Sequence, residues 1–230
     1  MSRRFTSTTG ITLLGGGEMA PDRLAQALAH APDLVAVDSG ADQALALGRM
    51  PALVLGDLDS ISARARATFE PGRVWHNPSQ DNTDFDKALM AVQAPLILAL
   101  GFTGGRLDHT LAGMNTLVRH PGARVVVDAG VDLCFLAPPR LELDLPPDSR
   151  LSLFPMAPVR CESAGLVWPT GGLALDPAGQ IGTSNAVRDG RVRLMPDAPS
   201  LLVMVPSVAL AAVLQGLRRA PVWPAPAQAR

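Results

Sequence analysis

Apolar and polar positions change rhythm once along the chain. In the first half, short extended runs at 11–14, 34–37, 52–55, 73–76, 96–100 and 124–128 alternate with stretches of helical period at 21–30, 41–47, 62–69, 84–93 and 108–119. Pro21 suits a first helical turn, and Ser62 or Ser60 can cap the third helix. Thr83 with Asp86 three residues on is an aspartate version of the capping box. Strands alternating with helices of about ten residues predict βαβ units and a parallel sheet. The nearly unbroken apolar strands fit a sheet covered on both faces.

The second half reads differently. Residues 141–145 alternate with period two, and 151–153, 192–194 and 201–205 are short strand candidates between glycine and proline turns. The helical pattern returns only at 208–219, with Ser207 as its expected cap. Short strands with frequent turns predict a small antiparallel sandwich or barrel. The rhythm changes near Ala137-Pro138-Pro139, dividing the chain into an α/β domain, 1–139, and an antiparallel β domain, 140–230. Residues 221–230 are rich in proline and alanine and are expected to be loosely ordered.

Composition narrows the function. Of 230 residues, 47% are hydrophobic and 18% charged, with a net charge of -1. That is a globular composition without the basic footprint of a nucleic-acid binder. No apolar run approaches the ~20 residues that span a bilayer, and the first residues lack the apolar stretch of a signal peptide. A cytoplasmic protein with no membrane partner is expected. Cys134 and Cys161 have no ligand spacing and read as core residues. Lysine occurs once, at Lys87, among 20 basic residues. Aspartates are crowded: Asp38, Asp42, Asp57, Asp59, Asp81, Asp84, Asp86 and Asp108 all precede position 109.

Several predicted strands end in reactive-looking residues, and parallel strands place those ends on one sheet edge, where ligands bind in open α/β sheets. The run 34–37 leads into Asp38-Ser39-Gly40, 52–55 into Gly56-Asp57-Leu58-Asp59, and 96–100 into Gly101 through Asp108. Asp57 and Asp59 read either as turn formers or as a pair aimed at one cation. Oxygen-only ligands favour Mg²⁺, Mn²⁺ or Ca²⁺ over zinc. Asp84 and Lys87 share a helix face, which gives either a surface ion pair or an ammonium facing phosphate. Gly104-Gly105-Arg106 offers a flexible loop and a guanidinium suited to phosphate. Together these are the parts of a metal-assisted polyphosphate transfer, with the acceptor unnamed.

The motifs Asp38-Ser-Gly-Ala-Asp42, Leu55-Gly-Asp-Leu-Asp-Ser60, Gln80-Asp-Asn-Thr-Asp-Phe-Asp-Lys-Ala-Leu89 and Gly104-Gly-Arg-Leu-Asp-His109 resemble, in order and approximate spacing, those of thiamine pyrophosphokinases. Gly165-Leu-Val-Trp168 and Gly182-Thr-Ser-Asn185 resemble that family's C-terminal signature. Ser39 stands where a second glycine is usual. The resemblance implies an α/β domain that binds Mg-ATP, a β-sandwich domain, and a homodimer with thiamine between subunits. It implies transfer of the pyrophosphoryl group of ATP to the thiamine hydroxyl, giving thiamine diphosphate and AMP. Asp57 and Asp59 with Asp81 would hold Mg²⁺. Lys87 and Arg106 would neutralise developing charge, and Asp108 or Asp81 would take the hydroxyl proton. Asp38, Ser39, Gly40, Gln80, Asp84, Thr103, Gly104, Gly105 and Arg106 would line the nucleotide. Trp168, Thr183, Ser184 and Asn185 would meet thiamine, unless Trp168 is core and Ser184-Asn185 a turn. Two alternatives remain: another hydroxymethyl acceptor, such as a pterin, or a module that binds without catalysis. The acceptor residues of the second half argue against the first, and the intact Asp/Arg/Lys set against the second.

Overall fold

The computed structural model describes residues 4–224. The expectation for the tail therefore lies outside the described residues from 225 onward. The chain forms two compact units: 1–116 with 127–129, and 117–126 with 130–230.

In the first unit, β1 (Phe5–Thr6), β2 (Ile11–Leu14), α1 (Pro21–His30), β3 (Asp33–Val37), α2 (Gly40–Ala46) and β4 (Leu53–Gly56) follow one another. They are followed by α3 (Ala63–Thr68), β5 (Val74–His76), α4 (Asp84–Ala91), β6 (Val92–Gln93) and β7 (Ile97–Leu100). The strands lie in the order β7-β2-β3-β4-β5 and pair parallel throughout. Every residue of β2, β4 and β7 is buried, as a sheet covered on both faces requires. Helix 84–93 is expected from the pattern but stops at Ala91, because Val92 and Gln93 pair parallel with Phe5 and Thr6. Both predicted caps form: the Ser62 hydroxyl accepts from the Ala65 amide, and the Thr83 hydroxyl from the Asp86 amide.

α5 (Leu107–Arg119) and β8 (Val125–Asp128) run across the division. The second unit contains β9 (Asp132–Leu136), β10 (Leu141–Asp144), β11 (Arg150–Pro155), β12 (Val159–Ala164) and β13 (Ala174–Leu175). It ends with β14 (Gly182–Ala186), β15 (Arg191–Pro196), β16 (Leu201–Pro206) and α6 (Leu210–Arg219). β14-β11-β16-β9 and β10-β15-β12-β13 are two runs of antiparallel neighbours. β15 alternates exposed Arg191, Arg193 and Met195 with buried Val192, Leu194 and Pro196, so one face meets the core. The division falls earlier than the turn at Ala137-Pro138-Pro139. β9 pairs residue by residue with β16, from Leu136 on Leu202 to Asp132 on Pro206, and so belongs with the strands that follow it. Ser207 does not cap α6. A single 3-10 turn, Ser207–Ala209, comes first, and the helix has no side-chain cap at Ala209. At its other end, Arg124 donates to the Leu217 and Ala220 carbonyls at 2.8 and 2.9 Å. A guanidinium there also suits the negative end of the helix dipole. The fold class expected from the sequence, a parallel α/β unit followed by an antiparallel β unit, is the one observed. Among the described residues, no helix is long and apolar enough to cross a membrane.

Candidate active site

The strand order defines where a ligand can enter. From β2 the chain moves stepwise to β3, β4 and β5 on one side, while β7 returns to the other side. Strand order therefore reverses between β2 and β7, and the crevice beyond their carboxyl ends is the usual ligand site of open α/β sheets. Main chain forms its walls. The Gly15 amide donates to Leu100 at 2.8 Å and the Gly17 amide to Gly101 at 2.9 Å. A Cβ on Gly15 would lie 2.6 Å from the Gly101 carbonyl oxygen, and one on Gly40 would lie 1.9 Å from that of Leu14. Gln43, which no sequence motif marks, donates from Nε2 to the Gly16 and Gly17 carbonyls at 2.8 and 2.9 Å. Only the fold brings it there, because the two segments are 26 residues apart.

Three carboxylates converge beside this crevice. Asp38, Asp57 and Asp59 each offer an oxygen within 4.8 Å of the others'. The family resemblance implies Asp81 as third ligand beside Asp57 and Asp59, whereas the structure groups Asp38 with them. β3 and β4 are parallel neighbours, and the Asp38 amide donates to Leu55 at 2.8 Å, which sets Asp38 beside the start of the Asp57 turn. Asp81 lies in the loop before α4, where its carboxylate accepts from the Ser79 hydroxyl at 3.1 Å. Asp38 Oδ1 is buried and has no hydrogen-bond partner. Burial raises the Asp38 carboxyl above its ordinary value, and the nearby Asp84, Asp57 and Asp59 charges add to this. Burial would raise Asp57 too, but the Asp59 amide and the Lys87 ammonium outweigh it, and that carboxyl lies below the usual value. Asp38 and Leu58 both adopt left-handed backbone, at φ 49° and 60°. Such conformations in residues with side chains cluster at functional sites.

The segment before α4 closes one side. Lys87 is not on the surface. Its side chain is 2% exposed, with Nζ 2.9 Å from Asp84 and 3.7 Å from Asp57. Gln80 Nε2 lies 3.4 Å from the same Asp57 carboxylate. Phe85 stacks on Phe102 with centroids 4.3 Å apart, linking α4 to the loop that follows β7. In that loop Thr103 is half-buried, while Gly104 and Gly105 take φ values of 82° and 61°. Arg106 and Asp108 are exposed and paired with each other, Nε to Oδ1 at 3.1 Å. The Arg106 hydrogen bonds hold the Asp108 carboxyl below its ordinary value. Ser39 is half-buried beside the glycine loop, where a Cβ on Gly16 would meet its hydroxyl.

In the second unit, Asn185 is buried in β14 and both polar atoms of its carboxamide are engaged. Its Oδ1 accepts from the Trp168 and Ala186 amides, and its Nδ2 donates to the Trp168 carbonyl at 2.6 Å. Its visible role is to hold the main chain that presents Trp168, whose side chain is exposed and not core. Thr183 and Ser184 are exposed on the same strand. Ser184 is left-handed, and its amide donates to the Ser152 hydroxyl at 3.0 Å. The segment is therefore a strand and not a turn.

Fold and site together define an α/β protein with an acidic, glycine-walled crevice at the switch point of a parallel sheet, followed by an antiparallel β unit. Residues 24–127 match the family described as "Thiamin pyrophosphokinase, catalytic domain". Thiamine pyrophosphokinase 1 of Arabidopsis thaliana is 26% identical over 170 residues, which cover 66% of this chain and 64% of the relative. Thiamine pyrophosphokinase of Bacillus subtilis is 34% identical over 91 residues, 37% of this chain and 42% of the relative. The match thus spans just under two thirds of the length of the Arabidopsis relative and less than half of the Bacillus one. Among solved structures, thiamin pyrophosphokinase from Candida albicans superposes with a TM-score of 0.74 at 16% identity, covering 87% of this chain and 90% of that one. The enzyme from Geobacillus thermodenitrificans gives 0.71 at 21% identity, over 86% and 97%. Residues 24–127 are thus similar to the catalytic domain of thiamine pyrophosphokinases.

Proposed function

We propose that this protein transfers the pyrophosphoryl group of ATP to the hydroxyl of thiamine, giving thiamine diphosphate and AMP, with Mg²⁺ held by Asp38, Asp57 and Asp59. The observation that carries this is the convergence of three carboxylates on one point beside the switch-point crevice, with Asp38 Oδ1 buried and unpartnered. A buried carboxylate oxygen without a donor is costly unless a cation or proton meets it. An all-oxygen donor set fits a hard divalent ion that also takes phosphate oxygens. When bound, Mg²⁺ would supply charge neutralisation on the phosphates.

The chain's own groups do the rest. Lys87 holds Asp84 through a hydrogen bond and Asp57 through a longer ion pair. Arg106, with its side chain 71% exposed, can exchange Asp108 for a phosphate, which a guanidinium grips with two prongs. The thiamine hydroxyl oxygen bonds to the β-phosphorus of ATP, the bond from that phosphorus to the α,β-bridging oxygen breaks, and AMP leaves. The hydroxyl proton passes to a carboxylate. Asp81, which accepts one hydroxyl hydrogen bond, and Asp108, freed once Arg106 turns to phosphate, are the two candidates. Trp168, Thr183 and Ser184 of the second unit contribute to the acceptor pocket of a homodimer.

The test is incubation of the purified protein with ATP, Mg²⁺ and thiamine, with chromatographic separation of products. AMP and thiamine diphosphate should appear in equal amounts, and only with metal. ADP with thiamine monophosphate would overturn the transferred group. ATP binding without turnover would overturn the reaction. A monomer by light scattering would overturn the shared pocket.

A further inference from the structure

The turn carrying Asp57 and Asp59 is held from outside the acidic cluster. Leu58 lies between them at φ 60°, in the left-handed region, where a branched side chain is a steric outlier. In an extended chain, residues two apart are separated by roughly 6.6 Å and continue in the strand direction. Here the chain folds back, and the Asp59 amide lies 3.4 Å from Asp57 Oδ1. A strained residue persists only where its surroundings over-determine it.

Two contacts do so. The Leu58 side chain is buried in a cluster with Ala36, Val54, Ile61, Ala65 and Phe69. The Leu58 carbonyl accepts a hydrogen bond from Arg66 Nη2 on α3. The helix carrying Arg66 is itself pinned. The Ser62 amide donates to the Asp42 carboxylate at 2.9 Å, the Ser62 hydroxyl donates to the same carboxylate, and that hydroxyl caps the Ala65 amide. Asp42 belongs to α2, the helix that follows Asp38. Among the described residues Arg66 forms no ion pair, although aspartates crowd this unit. Its guanidinium is committed to one main-chain carbonyl.

We propose that Arg66 is a positioning residue: through the Leu58 carbonyl it holds the Asp57-Leu58-Asp59 turn in its left-handed form and so keeps both carboxylates beside Asp38. The inference rests on the reading of that triad as the cation site, and its test separates the two.

The variants are Arg66→Ala, Arg66→Lys, and Asp57→Asn as a reference for a lost ligand. Amide hydrogen exchange of the metal-free protein reads the turn, Mn²⁺ titration by calorimetry reads the site, and thermal unfolding reads the fold. In Arg66→Ala, exchange at residues 58–60 should quicken by about tenfold while β2 and β3 keep wild-type protection. Mn²⁺ should bind roughly tenfold more weakly, as for other groups that support metal ligands. Arg66→Lys, which can still donate to the carbonyl, should recover part of both losses. Wild-type exchange at 58–60 in Arg66→Ala would overturn the proposal. So would a lowered unfolding temperature with unchanged Mn²⁺ affinity in the folded protein, the result a merely structural arginine gives. If wild-type protein and Asp57→Asn both fail to take up Mn²⁺, the cation reading falls, and the exchange result still decides whether Arg66 holds the turn.

Discussion

Replacing Lys87 by methionine tests how the acidic site is held together. The ammonium is 2% exposed and lies 2.9 Å from Asp84 and 3.7 Å from Asp57, whose side chains are 29% and 16% exposed. Removing one member of a fully buried ion pair costs about 3–5 kcal/mol, because the remaining charge is left without compensation. Here both carboxylates reach some water, so about 2 kcal/mol is the appropriate figure. Methionine keeps most of the apolar stem, which confines the loss to charge. For a chain of this size that corresponds to a melting temperature lower by roughly 4–8 °C. Adding Asp84→Asn to Lys87→Met removes one of the stranded charges and should recover about half of the loss, a non-additivity expected only of residues in direct contact. Urea and thermal unfolding of wild type, both single variants and the double variant give the comparison. A Lys87→Met protein as stable as wild type, or a double variant that loses the sum of the single effects, would refute the reasoning.

Three further expectations follow from the same geometry. Asp59→Asn removes one of three neighbouring like charges, so the metal-free protein should melt about 2 °C higher while Mn²⁺ affinity and turnover fall; a lower melting temperature would contradict the repulsion. Gly40→Ala would force a Cβ to 1.9 Å from a main-chain oxygen. It should cost more than about 3 kcal/mol in urea unfolding, whereas Gly72→Ala, with nothing within 4 Å of its Cβ, should be nearly neutral. Arg140 and Arg191 hold the Glu142 carboxyl down to about 2, from 4.5. A depressed carboxyl contributes stability above its unfolded value and loses it as pH falls through the folded one. Glu142→Gln should therefore melt lower than wild type at neutral pH and converge with it as pH falls to about 2, and a gap that persists there would refute the pairing.

Much of the first unit was legible because its signals are local. Apolar runs that stop at glycine or aspartate mark β2, β3, β4 and β7, and Ser62 and Thr83 announce the helices they cap. Gln93 escaped because tertiary pairing with Thr6 overrides helical period. In the second unit β14, Gly-Thr-Ser-Asn-Ala, has no large apolar residue to set a period, and it is a strand because β11 pairs with it. β12 does alternate, burying Val159 and Cys161 against exposed Arg160 and Glu162, but those small residues give a weak pattern. The site divides in the same way. Asp57 and Asp59 stand out by spacing. Asp38 joins them only through the β3–β4 register, Gln43 reaches the glycine loop only through the fold, and neither relation exists in one dimension.

The crevice walled by Gly15, Gly40 and Gly101 also has an evolutionary consequence. Where two main chains approach within a Cβ's reach, no side chain exists to be varied, so these positions offer selection no gradual path. The wall can be kept or lost but not tuned. Any drift in what the crevice accepts must therefore come from its rim: Ser39 beside the glycine loop, Gln43 on the carbonyls, Phe102 against Phe85, and the Thr103–Arg106 stretch. Lineages of this fold should hold the floor of the pocket fixed and record their divergence around its edge.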